Sequence, residues 1–411
     1  MLNWAQQFSI FCLLDNHQYQ TEPHTIECML AVGSKRSITA NSGSALSKLQ
    51  EFIDEKPSWL FGHLNYDLKD EIALLTSSHK DYIKFPELFF FEPEYVIRLN
   101  GNTMIIEGDD PQNIFNSIIE TGINNSGIEK RIPGISARIS RDEYIDIIQK
   151  LRQHILRGDC YEINFCQEFF SENAVIHPLS VYEKLSAVSP NPFSALYKSG
   201  CRYLICASPE RFLKKQGNTI LSQPIKGTAK RNLHNSEQDE LDKVNLYQSQ
   251  KDRSENVMVV DLVRNDLSRV CKEGTVIVDE LYGIYSFPQV YQMISTISGE
   301  LQDDISFTDI IRATFPMGSM TGAPKRSVLQ LIERYEKTKR GIFSGAVGYI
   351  TPVGDFDFNV VIRSIMYNAD ERYLSFQAGS GITFYSNPED EWEECLLKAE
   401  AINKVLMNDD E

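Results

Sequence analysis

The chain has 411 residues, 42% hydrophobic and 24% charged, an ordinary globular composition with length enough for one large core or two domains. Its formal charge of -16 is not offset by any long basic tract, which argues against nucleic acid as a partner and leaves an anionic substrate to be held by local cations. Eight cysteines without a Cys-x-x-Cys pair, a start lacking a cationic stretch ahead of an apolar run, and no apolar segment near the roughly eighteen residues of a membrane span imply a reduced, cytoplasmic protein with no membrane partner.

Residues 1–130 read as a β-rich region, with short strands expected at 8–14, 24–32, 58–64, 88–91 and 103–108 and a helix at 44–52. Turn-like composition at Asn124-Asn125-Ser126-Gly127 and Ile132-Pro133-Gly134-Ile135 marks a boundary, so 131–411 is taken as a second region. It opens with a well-signalled helix: Ser140 as cap, Asp142 and Glu143 in the first turn, apolar Ile145, Ile148, Leu151 and Ile155, and Gly158 at its end. That helix delivers Asp159-Cys160-Tyr161-Glu162-Ile163-Asn164 into a strand. A helical stretch spans 236–270, and the last hundred residues combine a helix after Pro324, β-rich segments at 345–351, 356–367 and 373–384, and a closing helix from about Pro388. Neighbouring strands without helical crossovers predict an antiparallel sheet.

Five segments carry chemistry. Lys226, in Pro224-Ile225-Lys226-Gly227-Thr228, follows Ser208-Pro209-Glu210-Arg211-Phe212, so a candidate amine nucleophile sits near a candidate acid. The apolar approach at 219–221 puts Lys226 at a strand end, either projecting into a cleft or lying on the surface in a turn. At pH 7 about one lysine in 2500 is neutral. A nucleophilic role therefore needs burial, for which Pro224 and Ile225 offer apolar walls, or cationic neighbours such as Lys230 and Arg231.

The closing helix sets Glu391, Glu394 and Lys398 on one face, as a solvated i,i+4 pair or as two carboxylates and an amine lining a site. Just before it, Gln377-Ala378-Gly379-Ser380-Gly381 interrupts a strand with two glycines, either an ordinary bulge or a cradle with amides free for an anion. Glu255 begins an amphipathic stretch whose Asp261, Arg264 and Asp266 read as an ion-pair network. Thr321 lies in a glycine-containing loop, 315–325, that feeds a helix and exposes amides. No histidine lies beyond His234, so a metal in that half would have oxygen ligands, favouring magnesium over zinc.

These motifs, with Lys251-Asp252-Arg253-Ser254-Glu255-Asn256, Asp261-Leu262-Val263-Arg264-Asn265-Asp266 and Thr321-Gly322-Ala323-Pro324-Lys325, resemble in order and spacing those of the chorismate-utilising enzymes. The resemblance covers about residues 140–407. It implies an α+β fold like anthranilate synthase component I, with packed, largely antiparallel β-sheets and outer helices. Lysine at position 226 resembles the aminodeoxychorismate synthases of that family, whereas anthranilate synthases usually carry alanine and isochorismate-forming members a base lysine where Glu162 stands. Gln292 replaces a histidine that is associated with pyruvate elimination in anthranilate synthases. More faintly, Leu13-Leu14-Asp15-Asn16 and Gly62-His63-Leu64-Asn65-Tyr66-Asp67-Leu68 resemble segments that bind tryptophan in relatives.

The resemblance implies Mg2+ bound by Glu255 and Glu394 with Glu391 nearby. It implies that chorismate carboxylates are held by Tyr349, Arg363, Lys398, Thr321 and the Gly379 and Gly381 amides. Lys226 is implied as nucleophile at C2 and Glu210 as the acid at the C4 hydroxyl. Ammonia would come from a glutamine amidotransferase subunit, since no cysteine-histidine glutaminase pattern is evident in this chain. The readings left open are anthranilate synthase, isochorismate synthase, and a catalytically silent sensor of chorismate or an aromatic amino acid.

Overall fold

A computed structural model describes residues 1–19, 28–122 and 130–407. The Asn124-Asn125-Ser126-Gly127 segment and the His24 end of the second expected strand lie outside the described residues. The strands assemble into two sheets, and their pairings are antiparallel. Among the described residues the first has eleven strands. It runs Gly322–Ala323, Glu162–Ser171, Tyr373–Ile382, Ser364–Asn368, Arg202–Ser208, Phe193–Ser199, Ile10–Asp15, Cys28–Val32, Tyr95–Asn100 and Thr103–Glu107, with Ser136–Ala137 beside Glu162–Ser171. The second has ten: Ile225–Lys230, Val290–Glu300, Thr219–Gln223, Arg211–Gln216, Phe356–Asn359, Ala346–Ile350, Leu60–Leu64, Leu88–Glu92 and Arg36–Ala40, with Ile277–Ser286 beside Val290–Glu300. Residues before and after position 130 contribute to both.

Period-two patterning explains the layering. Along Ile10–Asp15, Cys12 and Leu14 join one core while Phe11 and Leu13 join the other. One core gathers Cys12, Leu204 and Met366 of the first sheet with Phe61, Phe90, Leu213 and Phe358 of the second. On the other, Phe11, Leu30, Ile205 and Phe376 meet the helices Arg141–Leu156, Pro178–Val188 and Pro388–Met407 through Tyr144, Ile148, Leu185, Trp392 and Cys395. This is the α+β architecture of packed antiparallel sheets and outer helices expected from the sequence.

Three local differences matter for the site. The expected strand at 356–367 is two strands in different sheets, Phe356–Asn359 and Ser364–Asn368, and Arg363 sits at the change of sheet with φ 52°. The helical stretch 236–270 breaks at Ser249 into Ser236–Gln248 and Gln250–Ser268, the Ser249 hydroxyl accepting the Asp252 amide at 3.3 Å. Lys226 does not end a strand: it is the second residue of Ile225–Lys230, whose register against Val290–Glu300 slips between Ile225 and Thr228. Gly227, at φ 95°, occupies that slip, as a bulge with left-handed backbone requires.

Candidate active site

Lys226 lies between the two sheets' ends. Its Nζ donates to Glu162 Oε1 at 2.6 Å, joining the first strand residue of Glu162–Ser171 to the bulged strand of the other sheet. Both side chains are buried, at 10% and 2% exposure. Glu162 Oε2 is buried with no hydrogen-bond partner. Backing the pair is Gly381, where an added β carbon would meet Glu162 Oε1 at 2.8 Å, Lys226 Nζ at 2.9 Å and Glu255 Oε2 at 3.7 Å.

The electrostatics differ from the sequence expectation. Burial by itself would lower the Lys226 amine, but the charges of Glu162, Glu255 and Glu210 outweigh it and hold the amine well above the usual lysine range. The cations expected to depress it are elsewhere: Arg231 pairs with Asp239 at 2.9 Å. Glu210, in the turn between Arg202–Ser208 and Arg211–Gln216, is 4% exposed. Burial pushes its carboxyl up to about 7 against the opposing charge of Lys226. Glu255, on the first turns of Gln250–Ser268, is likewise pushed up to about 7, by burial and then by Glu162, against Lys226 and Lys251.

Three carboxylates surround a second amine. Lys251 Nζ lies 4.0 Å from Glu255, 3.8 Å from Glu391 and 4.0 Å from Glu394. Glu391 also accepts from Ser380, and Glu394 pairs with Lys398 at 2.8 Å. Among the described residues no three such groups close into a ready-made metal cage. The donor set nonetheless fits magnesium: all ligating atoms are carboxylate oxygens, Glu255 Oε1 is buried without a partner, and Mg2+ keeps several waters rather than demanding a full protein cage.

The remaining expected residues divide. Arg363 reaches no carboxylate among the described residues, and burial lowers its guanidinium. An unpaired, largely desolvated cation on left-handed backbone is suited to an anion. Lys398 donates to the Gly379 carbonyl at 2.9 Å as well as to Glu394. Gly379 and Gly381 lie in an unbroken ladder opposite Cys166 and Asn164, so they form no bulge, and Ser364–Asn368 pairs with their strand only as far as Phe376. The Thr321 hydroxyl is turned to the Met317 and Gly318 carbonyls, at 3.0 and 3.3 Å. Tyr349 is not brought to Lys226. Its ring packs on Trp59 at 5.8 Å and Phe61 at 5.9 Å, Phe61 being its register partner on the neighbouring Leu60–Leu64 strand. The Asp261, Arg264 and Asp266 network splits: Asp261 pairs with Arg264 at 2.8 Å on the surface, while buried Asp266 takes Lys325 at 2.6 Å.

Sequence reasoning gave no role to Glu162 or Lys251. Glu162 had a readable signal, an acid at the head of the otherwise uncharged run Ile163-Asn164-Phe165-Cys166, which must find a cation if buried. Lys251 had none, since its partners lie 4 to roughly 140 residues away in sequence and converge only in the fold.

The profile of the chorismate binding enzyme family matches residues 11–404. Aminodeoxychorismate synthase of Arabidopsis thaliana is 35% identical over 84% of the chain, and aminodeoxychorismate synthase component 1 of Bacillus subtilis 36% identical over 66%. The chain spans 40% of the plant protein's length and 57% of the bacterial one's. Anthranilate synthase component I from Streptococcus pneumoniae shares the fold, with a TM-score of 0.80 over 93% of each chain at 23% identity.

Proposed function

The chain belongs to the chorismate binding enzyme family, and on that premise we propose that it aminates chorismate at C4, giving 4-amino-4-deoxychorismate as an aminodeoxychorismate synthase component I. The observation that carries this reading is a buried lysine amine, Lys226, within the electrostatic reach of Glu210, a carboxyl that burial pushes up to about 7. Chorismate is a dianion whose C4 hydroxyl must leave. Arg363 binds one carboxylate. Glu255, Glu391 and Glu394 would hold magnesium, whose charge neutralises the other when bound. The Lys226 amine adds at C2, the ring double bonds shift, and the C4 hydroxyl departs as water with the proton of Glu210. Ammonia then adds at C4 and the C2–Nζ bond breaks.

A carboxyl of pKa about 7 is half protonated at neutral pH, which suits a general acid. Gln292 is buried, its Oε1 without a partner, and brings no titrating group to the cleft, consistent with an enzyme that stops before pyruvate loss. Ammonia is scarce as the free base at neutral pH, so a glutamine amidotransferase subunit supplies it. The eight cysteines form no disulfide among the described residues, which supports a cytoplasmic location, and no helix among the described residues is long and apolar enough to cross a membrane.

The test is incubation of the purified protein with chorismate, Mg2+ and ammonium salt, followed by mass analysis with and without a lyase that acts on aminodeoxychorismate. The expected product becomes 4-aminobenzoate only with the lyase. Anthranilate with pyruvate, or isochorismate without ammonia, would move the assignment to a sister enzyme; chorismate bound but unchanged would make the protein a sensor. Lys226→Ala should abolish the covalent adduct and lower turnover by at least about a hundredfold, and full activity in that variant would refute the nucleophilic role.

A further inference from the structure

We propose that Glu162 is the proton acceptor that frees Lys226 to act as a nucleophile, an inference that rests on the amination chemistry above. An ammonium has no lone pair to offer C2, and the surrounding carboxylates favour that form. Glu162 is the carboxylate in ion-pair contact with Nζ among the described residues, at 2.6 Å. Glu210 is assigned to the leaving hydroxyl in the chemistry above, and Glu255, whose charge also bears on Lys226, makes no ion-pair contact with it and sets Oε1 4.0 Å from Lys251.

The state of Glu162 fits the task. Its charge is met by Lys226 at Oε1 while Oε2 is buried and orphaned. When substrate seals a cleft, a buried ion pair loses the little solvation it had, and moving one proton between the partners removes both charges together. Gly381, having no β carbon, is what lets the two heads meet against this strand: a β carbon there would lie 2.8 Å from Glu162 Oε1 and 2.9 Å from Lys226 Nζ.

The proton passes from Nζ to Oε1, giving a neutral amine and a neutral acid. The freed lone pair forms the Nζ–C2 bond as the C4–O bond breaks and the Glu210 proton leaves in water. In the second half an ammonium ion returns a proton to Glu210 and its ammonia adds at C4. Lys226 leaves C2 as the neutral amine and recovers its proton from Glu162. Each group ends as it began.

The experiment uses purified protein with chorismate and Mg2+, following adduct formation by intact-protein mass spectrometry without ammonium and turnover with it. Glu162→Gln keeps the hydrogen bond to Lys226 but cannot take its proton. Expected is chorismate binding within threefold of the native protein with adduct formation and turnover both reduced by about a hundredfold or more, the lower range of general acid–base contributions. Glu162→Ala should regain part of its turnover with added formate but not with formamide, which has the same shape and accepts no proton. Adduct formation by Glu162→Gln within threefold of native, or equal rescue by both additives, overturns the proposal. If Glu162→Gln fails to bind chorismate, Glu162→Asp decides: a tenth or more of native adduct formation supports proton acceptance, and none overturns it. A native protein that forms no adduct defeats the function reading itself, a failure told apart because the other outcomes leave native adduct formation intact.

Discussion

At the scale of the residue, the site is a balance of buried charges, and Glu210 shows its sign. An unfolded glutamate titrates near 4.5, whereas burial lifts the folded carboxyl to about 7. A raised folded value means that the stabilising contribution is whole below about 4.5 and is lost as pH rises through about 7. A shift of this size corresponds to roughly 3 kcal/mol between the two ends of the window. Glu210→Gln removes the ionisable group, so its melting temperature should exceed the native one at pH 8.5 and match it near pH 4.5. Thermal unfolding at the two pH values checks this, and equal shifts at both would show that the carboxyl is not held protonated by burial. The same variant should lose most turnover, because Glu210 is the acid assigned to the leaving hydroxyl in the proposed chemistry. Stability and activity then move in opposite directions, as expected where a buried polar group is kept for chemistry.

At the scale of the element, two glycines on one strand make different demands. A β carbon at Gly379 would lie 1.9 Å from the Phe165 carbonyl oxygen, a backbone atom of the neighbouring strand that cannot step aside. At Gly381 the nearest atoms are the flexible ends of Glu162 and Lys226. Gly379→Ala should therefore destabilise the fold by about 2–3 kcal/mol or more, whereas Gly381→Ala should cost less, because only side-chain ends must move, while pushing Lys226 from Glu162. Denaturant unfolding and adduct formation, measured on both variants, should dissociate: stability falls for the first, chemistry for the second. Motif spacing nominated both glycines for the site, but not which neighbour each faces, because that depends on the register with Glu162–Ser171. The strand at 373–384, the Ser140-capped helix and the closing helix were legible from alternation, capping and helical period. The split of 356–367 was not: Val360-Val361-Ile362 carries the β-forming pattern across the junction and gives no local mark of a change of sheet, and the left-handed backbone at Arg363 lies where the two sheets join. The packing of Tyr349 on Trp59 and Phe61 was illegible for a related reason, since a strand's two faces look alike until its partners are known.

At the scale of the whole molecule, the composition break near 130 suggests two regions, yet the chain weaves them together. Ile10–Asp15 pairs with Phe193–Ser199 in one sheet, and Leu60–Leu64 pairs with Ala346–Ile350 in the other. Buried Asp67 accepts the Gly341 amide at 3.0 Å, and Lys69 lies 4.0 Å from Glu333. Cutting the chain at 130 would leave two interior strands as bare edges with unpaired backbone groups and uncovered apolar faces, a template for aggregation. A fragment of residues 131–411 should therefore be insoluble, or soluble without a cooperative melt or chorismate binding. Co-expression of residues 1–122 as a separate chain should restore a soluble, chorismate-binding complex, because the lost contacts are strand pairings that a second chain can supply. A soluble 131–411 fragment with a sharp unfolding transition and native chorismate affinity would mean that the N-terminal strands only cover an independent catalytic body. The shared sheets argue the reverse, since the two strands that flank Glu210's turn, Arg202–Ser208 and Arg211–Gln216, are each reached from the N-terminal strands through a continuous ladder, one in each sheet.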